Sequence, residues 1–164
     1  MENLKLYRIK DEYINYLQNI DHRVQNNKNC RRPYVGIVLH AGAYQYFVPL
    51  ESPKPNHKNI KAGYHILKLD NGSLGMLGFN NMIPIHKTAI IEFNIDRDPD
   101  KKYAELLRRQ ITYINKNKAI IFEHASKTYY HVIRGNNSFL MKICCNFKKL
   151  EKACDKYNPN YSKV

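Results

Sequence analysis

The chain has 164 residues, 43% of them hydrophobic and 25% charged, which are the proportions of a folded protein rather than a disordered one. Twenty-seven Lys and Arg against 14 Asp and Glu give a net charge of +13. A surface of that charge draws polyanions, nucleic acid first among them. At this length one domain over residues 1–164 is the expectation.

Other composition features narrow the class. Thirteen Tyr, with no Trp, suit a surface that stacks on bases and hydrogen-bonds through hydroxyls, or equally the edge of a core. Cys30, Cys144, Cys145 and Cys154 have no zinc-ribbon spacing, and two adjacent cysteines are poor disulfide partners. No apolar run approaches the roughly 18 residues that a membrane crossing needs, and none resembles a signal peptide. The expectation is a cytoplasmic protein with reduced thiols, no metal, no cofactor and no membrane partner.

In chain order, residues 4–10 alternate as a first strand. Asp11 stands where it would cap a helix carrying Tyr13, Tyr16, Leu17 and Ile20 at helical spacing. Residues 22–33 are polar and basic and read as a loop, a candidate for mobility. Tyr34 to Leu39 is a compact apolar strand, and His40 to Ala43 turns the chain into a second strand over residues 44–50. Prolines 49, 53 and 55 exclude a central strand from residues 51–62. Residues 64–69 and 74–79 flank Asp70-Asn71-Gly72-Ser73, the strongest hairpin turn in the chain. Residues 82–93 read as a further strand with Pro84 at an edge or bulge.

The pattern then becomes helical. Tyr103, Leu106, Leu107, Gln110, Ile111 and Ile114 mark one helix after Asp98-Pro99-Asp100, and a second covers residues 119–133. Gly135-Asn136-Asn137 breaks it, and Asn146 is placed to cap a last helix with Phe147, Leu150, Cys154 and Tyr157 on one face. Strands followed by helices indicate α+β, with an antiparallel sheet packed against helices.

Chemistry concentrates in residues 49–58. Prolines 53 and 55 stiffen the backbone on which Ser52 and Lys54 are presented. A hydroxyl, an ammonium and the imidazole of His57 suit a phosphodiester: Lys54 would neutralise developing charge, Ser52 would hydrogen-bond a phosphoryl oxygen, and His57 is a candidate acid. The bland alternative is a polar surface loop. Arg31 and Arg32 end directly at the strand from Tyr34 and could grip phosphates, with a solvated basic loop as the alternative. Lys58 would add to that contact. Asn80 and Asn81 could read bases or simply form a turn, and Arg108, Arg109, Lys148, Lys149 and Lys152 could hold RNA or decorate helix faces. There is no Gly-rich phosphate loop ending in Lys-Ser or Lys-Thr, no paired His for zinc and no carboxylate cluster for two metals. A basic nuclease without such a cluster would use the 2′-hydroxyl of RNA as its nucleophile. The rival reading is a non-catalytic basic RNA-binding module.

Several segments together resemble the ToxN/AbiQ family of endoribonuclease toxins from type III toxin–antitoxin systems. They are Tyr34 to Leu39, Tyr46 to Leu50 running into Ser52-Pro53-Lys54 and His57, Asn80 to Ile85, and Tyr103 to Gln110. The resemblance spans roughly residues 1–157. It implies a strongly twisted antiparallel sheet surrounded by helices, distantly similar to Kid/MazF toxins. It implies metal-free RNA cleavage that leaves 2′,3′-cyclic phosphate and 5′-hydroxyl ends. It further implies inhibition by a small repeat-encoded RNA pseudoknot that the toxin itself processes, ring-like protein–RNA assemblies, and a role in aborting phage infection. The family's serine and lysine fall on Ser52 and Lys54, and a basic residue before the core strand falls on Arg32. One departure stands out: Glu51 occupies a position where relatives often carry Thr or Ser.

Overall fold

The computed structural model describes residues 2–160. Strands β1 (Lys5–Ile9), β2 (Tyr34–Ala41), β3 (Tyr44–Glu51), β4 (Ile66–Lys68), β5 (Met76–Gly78), β6 (Ile83–Pro84) and β7 (Ile90–Glu92) form one sheet in the order β4-β5-β3-β2-β1-β7. Every paired strand is antiparallel, and β6 adds to β3 beside β5. The helices are α1 (Asp11–Ile20), α2 (Lys101–Lys116), α3 (Lys118–Arg134), α4 (Ser138–Ile143) and α5 (Phe147–Lys156). The architecture is therefore α+β, as the run of strands followed by helices implies. No helix among the described residues is long and apolar enough to cross a membrane.

The core lies where α3 packs on β2, and α5 packs on β6 and α1. Tyr13, Tyr34, Tyr46, Phe47, Phe79 and Phe147 fill it. A buried carboxylate pins α5 to the sheet: Glu151 Oε2 accepts the hydroxyls of Tyr46 (2.6 Å) and Tyr129 (2.7 Å), and Lys148 Nζ lies 3.2 Å from its other oxygen. Three acceptor contacts to one buried carboxylate satisfy a charge that would otherwise be costly to desolvate.

Four expectations need correction. Asp11 is the first helical residue rather than the cap, which is Lys10. Its carboxylate instead accepts from Asn27 Nδ2 (2.8 Å) and the Cys30 amide (2.9 Å). With Asn27 Nδ2 also donating to the Ile9 carbonyl (2.7 Å), the basic loop 22–33 is tethered to the end of β1. The 64–79 hairpin forms, with Ile66 opposite Gly78, but through a wider loop: Asp70, Asn71, Gly72 and Gly75 all take positive φ. Residues 82–93 are two short strands rather than one, because a 3-10 turn at Lys87–Ala89 separates β6 from β7. Pro84, lacking an N–H, sits on β6, and its carbonyl accepts from Tyr13 (2.6 Å). Helix α4 carries no signal in the periodicity, being too short to show one. Asn137 caps it through the Leu140 amide (2.9 Å), and Asn146 caps α5 through Lys149 (3.1 Å).

Candidate active site

Strand β3 leaves the sheet at Glu51, opposite Met76. Ser52 and Lys54 follow, extended and exposed, and Pro55 opens a 3-10 turn over Pro55–Asn59, where its fixed φ is pre-set. His57 is 1% exposed and clasps the Lys54 peptide from both sides. Its amide donates to the Lys54 carbonyl (3.0 Å), and its Nδ1 accepts from the Lys54 amide (3.3 Å). An accepting Nδ1 leaves the proton of a neutral ring on Nε2, which lies 3.3 Å from Glu51 Oε2. The segment between the two prolines is thus held in one conformation by the imidazole beneath it.

A second support comes from the 69–75 loop. Gly75 has φ +98°, and a Cβ there would stand 2.0 Å from the Glu51 carbonyl oxygen. Only glycine permits both the dihedral and that approach. The buried amide of Gln110 on α2 donates to the adjacent Leu74 carbonyl (2.9 Å), so the helix holds the loop against the strand end.

Ser52 faces a cavity of about 760 Å³. Lys28, Arg31 and Arg32 line one side, and Arg8, Arg97, Phe93, Asp98 and Tyr103 the other. Arg32 is 6% exposed; its Nε donates to the Asn26 carbonyl (2.7 Å), while Nη1 is buried without a hydrogen-bond partner among the described residues. A buried guanidinium N–H with nothing to donate to is costly unless an anion completes it. The Lys28 ammonium is pushed below its ordinary pKa by desolvation and by the charges of Arg32 and Lys54. That repulsion also places Lys54 within electrostatic reach of the cavity, although it does not line it. Arg8 lies 4.0 Å over the Phe93 ring and 3.6 Å from Asp98. The cations outnumber the carboxylates along this wall, which is the charge pattern of a site for phosphates.

The other predicted residues lie elsewhere. Lys58 is exposed beyond His57, its carbonyl accepting from Lys68 (3.0 Å). Asn81 spends both ends of its amide on the protein, accepting from Gln25 (2.8 Å) and donating to the Arg23 carbonyl (2.8 Å). The Asn80 carbonyl accepts from the Cys145 amide (2.9 Å). Both are turn residues remote from the cavity lining. Arg108 pairs with Asp96 (2.8 Å) and Glu105 (3.4 Å), and Arg109 flanks a shallow hollow beside Lys116. Lys148 is tied to Glu151, whereas Lys149 and Lys152 are exposed on α5. Residue patterns missed Lys28, Arg8 and Arg97. The one legible signal was a basic residue inside an otherwise alternating strand, Arg8 in β1. Among the described residues, no three His, Cys, Asp or Glu side chains converge as a metal site would require.

Taken together, a serine at a strand end and a cavity wall where cations outnumber carboxylates mark the candidate site of an α+β protein. The model of the family "Toxin ToxN, type III toxin-antitoxin system" matches residues 5–155. The chain belongs to that ToxN toxin family. Endoribonuclease ToxN of Bacillus thuringiensis subsp. kurstaki is 33% identical, covering 95% of this chain and 85% of the relative. Endoribonuclease AbiQ of Lactococcus lactis subsp. lactis is 26% identical, covering 94% and 90%. The solved structure of AbiQ, a lactococcal anti-phage endoribonuclease, superposes with a TM-score of 0.83 at 27% identity, covering 99% of this chain and all of that one. A type III toxin structure, from work on toxin inhibition by a non-coding RNA pseudoknot, gives 0.84 at 29% identity over the same shares.

Proposed function

We propose that this protein is a metal-independent endoribonuclease, the toxin of an RNA-antitoxin pair acting in the cytoplasm. The observation that carries the reading is the cavity at Ser52, where Arg32 keeps a buried, unpartnered Nη1 among further cations. In this reaction the 2′-hydroxyl oxygen attacks the neighbouring phosphorus and loses its proton to water. The bond from phosphorus to the 5′ oxygen breaks, leaving a 2′,3′-cyclic phosphate, and the 5′ oxygen takes up a proton. The Ser52 hydroxyl donates to a phosphoryl oxygen. Lys54 and the Arg32 guanidinium offset the charge that gathers on the phosphorane. Arg31 holds the RNA backbone. Lys28, which lines the same cavity, is the cation placed to give a proton to the departing 5′ oxygen.

His57 serves this site as a positioning residue. It is buried, and both ring nitrogens face the protein, one toward Lys54 and one toward Glu51. Glu51 Oε2 lies 3.3 Å from Nε2 without forming a hydrogen bond to it. The partner is a small pseudoknot RNA that the toxin cuts from its repeats and is inhibited by, within a closed protein–RNA assembly; pseudoknot inhibition and antiviral action among the similar structures support this and a part in phage defence. Exposed Arg109, Lys149 and Lys152 extend the basic surface available to it.

The test is incubation with mixed RNA in EDTA, followed by end analysis. Fragments with 5′-hydroxyl and cyclic phosphate ends are expected. A mobility shift with no cleavage, with or without added divalent ions, would leave only a basic RNA-binding module. Cleavage that needs a divalent ion would overturn the metal-free chemistry.

A further inference from the structure

Among the described tyrosines only Tyr64 and Tyr130 are exposed, at 40% and 39%, and they border the same hollow. It measures about 310 Å³ and lies against α3, with Lys127, His131 and Arg134 on its walls. A second hollow of about 590 Å³ adjoins it through Tyr64 and carries Lys61, His65 and Phe139, the last 58% exposed. Neither shares a residue with the cavity at Ser52.

Aromatic rings gather here, and His124 meets Tyr64 edge-on at 5.6 Å. His131 stacks on Tyr64 with planes 23° apart, and Phe139 meets His65 edge-on at 5.5 Å. Tyr130 is braced edge-on by the buried Tyr129 at 5.3 Å. Cations stand around them. Lys127 Nζ is 4.6 Å from the Tyr64 ring centre and 3.0 Å from its hydroxyl, and the Arg134 guanidinium is 5.4 Å from the Tyr130 ring. Glu123 pairs with Lys127 at 2.9 Å from outside the hollows, and no Asp or Glu lines either one.

Exposed aromatic side chains bordered by cations, with no carboxylate lining either hollow, match one ligand chemistry: unpaired nucleotides, whose bases stack while their phosphates meet Lys and Arg. We propose that this face of α3 and the 60–66 loop is a second RNA contact, a stacking platform for single-stranded nucleotides outside the cleavage cavity. This rests on the reading of the protein as an RNA-binding toxin. Paired RNA has no free base faces to offer, so the platform selects unpaired segments.

The experiment titrates wild type, Tyr64→Leu and Tyr130→Leu with a fluorescent 2′-O-methyl RNA single strand and with the same sequence as a duplex. The 2′-O-methyl probe has no nucleophile for the proposed cleavage and survives the measurement. Each substitution is expected to weaken single-strand binding about ten-fold, with duplex binding changed less than about two-fold. Cleavage of an oligonucleotide too short to reach the platform should continue at the wild-type rate. Unchanged single-strand affinity would overturn the proposal. Equal losses on single strand and duplex would overturn it in favour of simple charge attraction. Tyr130→Leu keeps the test decisive if Tyr64→Leu lowers the melting temperature, because Tyr64 also holds Lys127 through its hydroxyl and packs against His124 and His131. If wild type binds the probe through these rings but cuts no RNA, the platform stands and the endoribonuclease reading falls.

Discussion

Replacing Gly75 by alanine tests whether the 69–75 loop sets the position of the proposed catalytic segment. The new methyl would stand 2.0 Å from the Glu51 carbonyl oxygen, and the obstacle is backbone rather than a side chain that can swing away. Holding φ near +98° costs a non-glycine residue about 1–3 kcal/mol. Forcing the strand end aside adds about 1–3 kcal/mol. Gly42→Ala is the matched control, since its φ is +59° but nothing lies within 4 Å of the added Cβ. It should lose only the local strain of about 1–2 kcal/mol. At this chain length each kcal/mol lowers the melting temperature by about 2–4 °C. Calorimetry should therefore show a fall of a few degrees for Gly42→Ala with RNA cleavage intact. Gly75→Ala should fall further and lose cleavage beyond what its unfolded fraction explains, because Ser52 is carried with Glu51. Equal melting and equal cleavage rates for the two variants would refute the idea that this contact aligns the site.

Three other outcomes follow from the geometry. Lys54→Ala should keep the fold, since its side chain is exposed, and lose about 10²–10³ in cleavage rate; single-turnover kinetics on folded protein measure this, and a normal rate would remove Lys54 from the mechanism. Burial alone would raise the Asp21 pKa, but hydrogen bonds from Arg23 and the Asn146 amide outweigh it and hold the carboxyl below its ordinary 3.8. A carboxylate depressed in the fold adds stability above the unfolded pKa and loses it as pH falls through the folded one. Asp21→Asn should accordingly melt lower at pH 7 by about 2 kcal/mol, with the gap to wild type narrowing in acid; a constant gap in pH-dependent melts would contradict the assignment. Reversal of Lys149 and Lys152 to Glu should flatten the salt dependence of antitoxin-RNA binding, by about 0.7–0.9 in log–log slope for each phosphate that is no longer neutralised. Lys148 is unsuitable for that experiment because its ammonium partners buried Glu151.

How much could be read from residues alone differed by element. The hairpin of β2 and β3 was legible because compact apolar runs flank a clear turn. The cap of α5 was legible because Asn146 stands just before helical periodicity, whereas the Asp100 cap of α2 emerges only in the structure. Asp11 misled, since a capping residue type was recruited by Asn27 and Cys30, partners far along the chain. The stretch 82–93 misled because apolar content does not record where a 3-10 turn interrupts it. At the site, Ser52, Lys54 and Arg32 were marked by chemistry and by prolines. Their supports were invisible, because Gly75 meets the Glu51 carbonyl, and Gln110 the Leu74 carbonyl, only through the fold. The tyrosines divide in the same way: composition suggested stacking, and only burial separates Tyr64 and Tyr130 from those that fill the core.

The strand order has a consequence for synthesis. Strand β1, made first, ends up between β2 and β7, and β7 lies more than 80 residues downstream. The cavity spans that gap in time: Arg8 belongs to β1, Ser52 follows β3, and Phe93, Arg97 and Tyr103 come at or after β7. A nascent chain that has not yet released residue 103 lacks one wall of the cavity. Because a growing chain exposes its segments in order, the ribosome making this protein has passed residue 103 before the molecule it carries has a closed place to hold RNA.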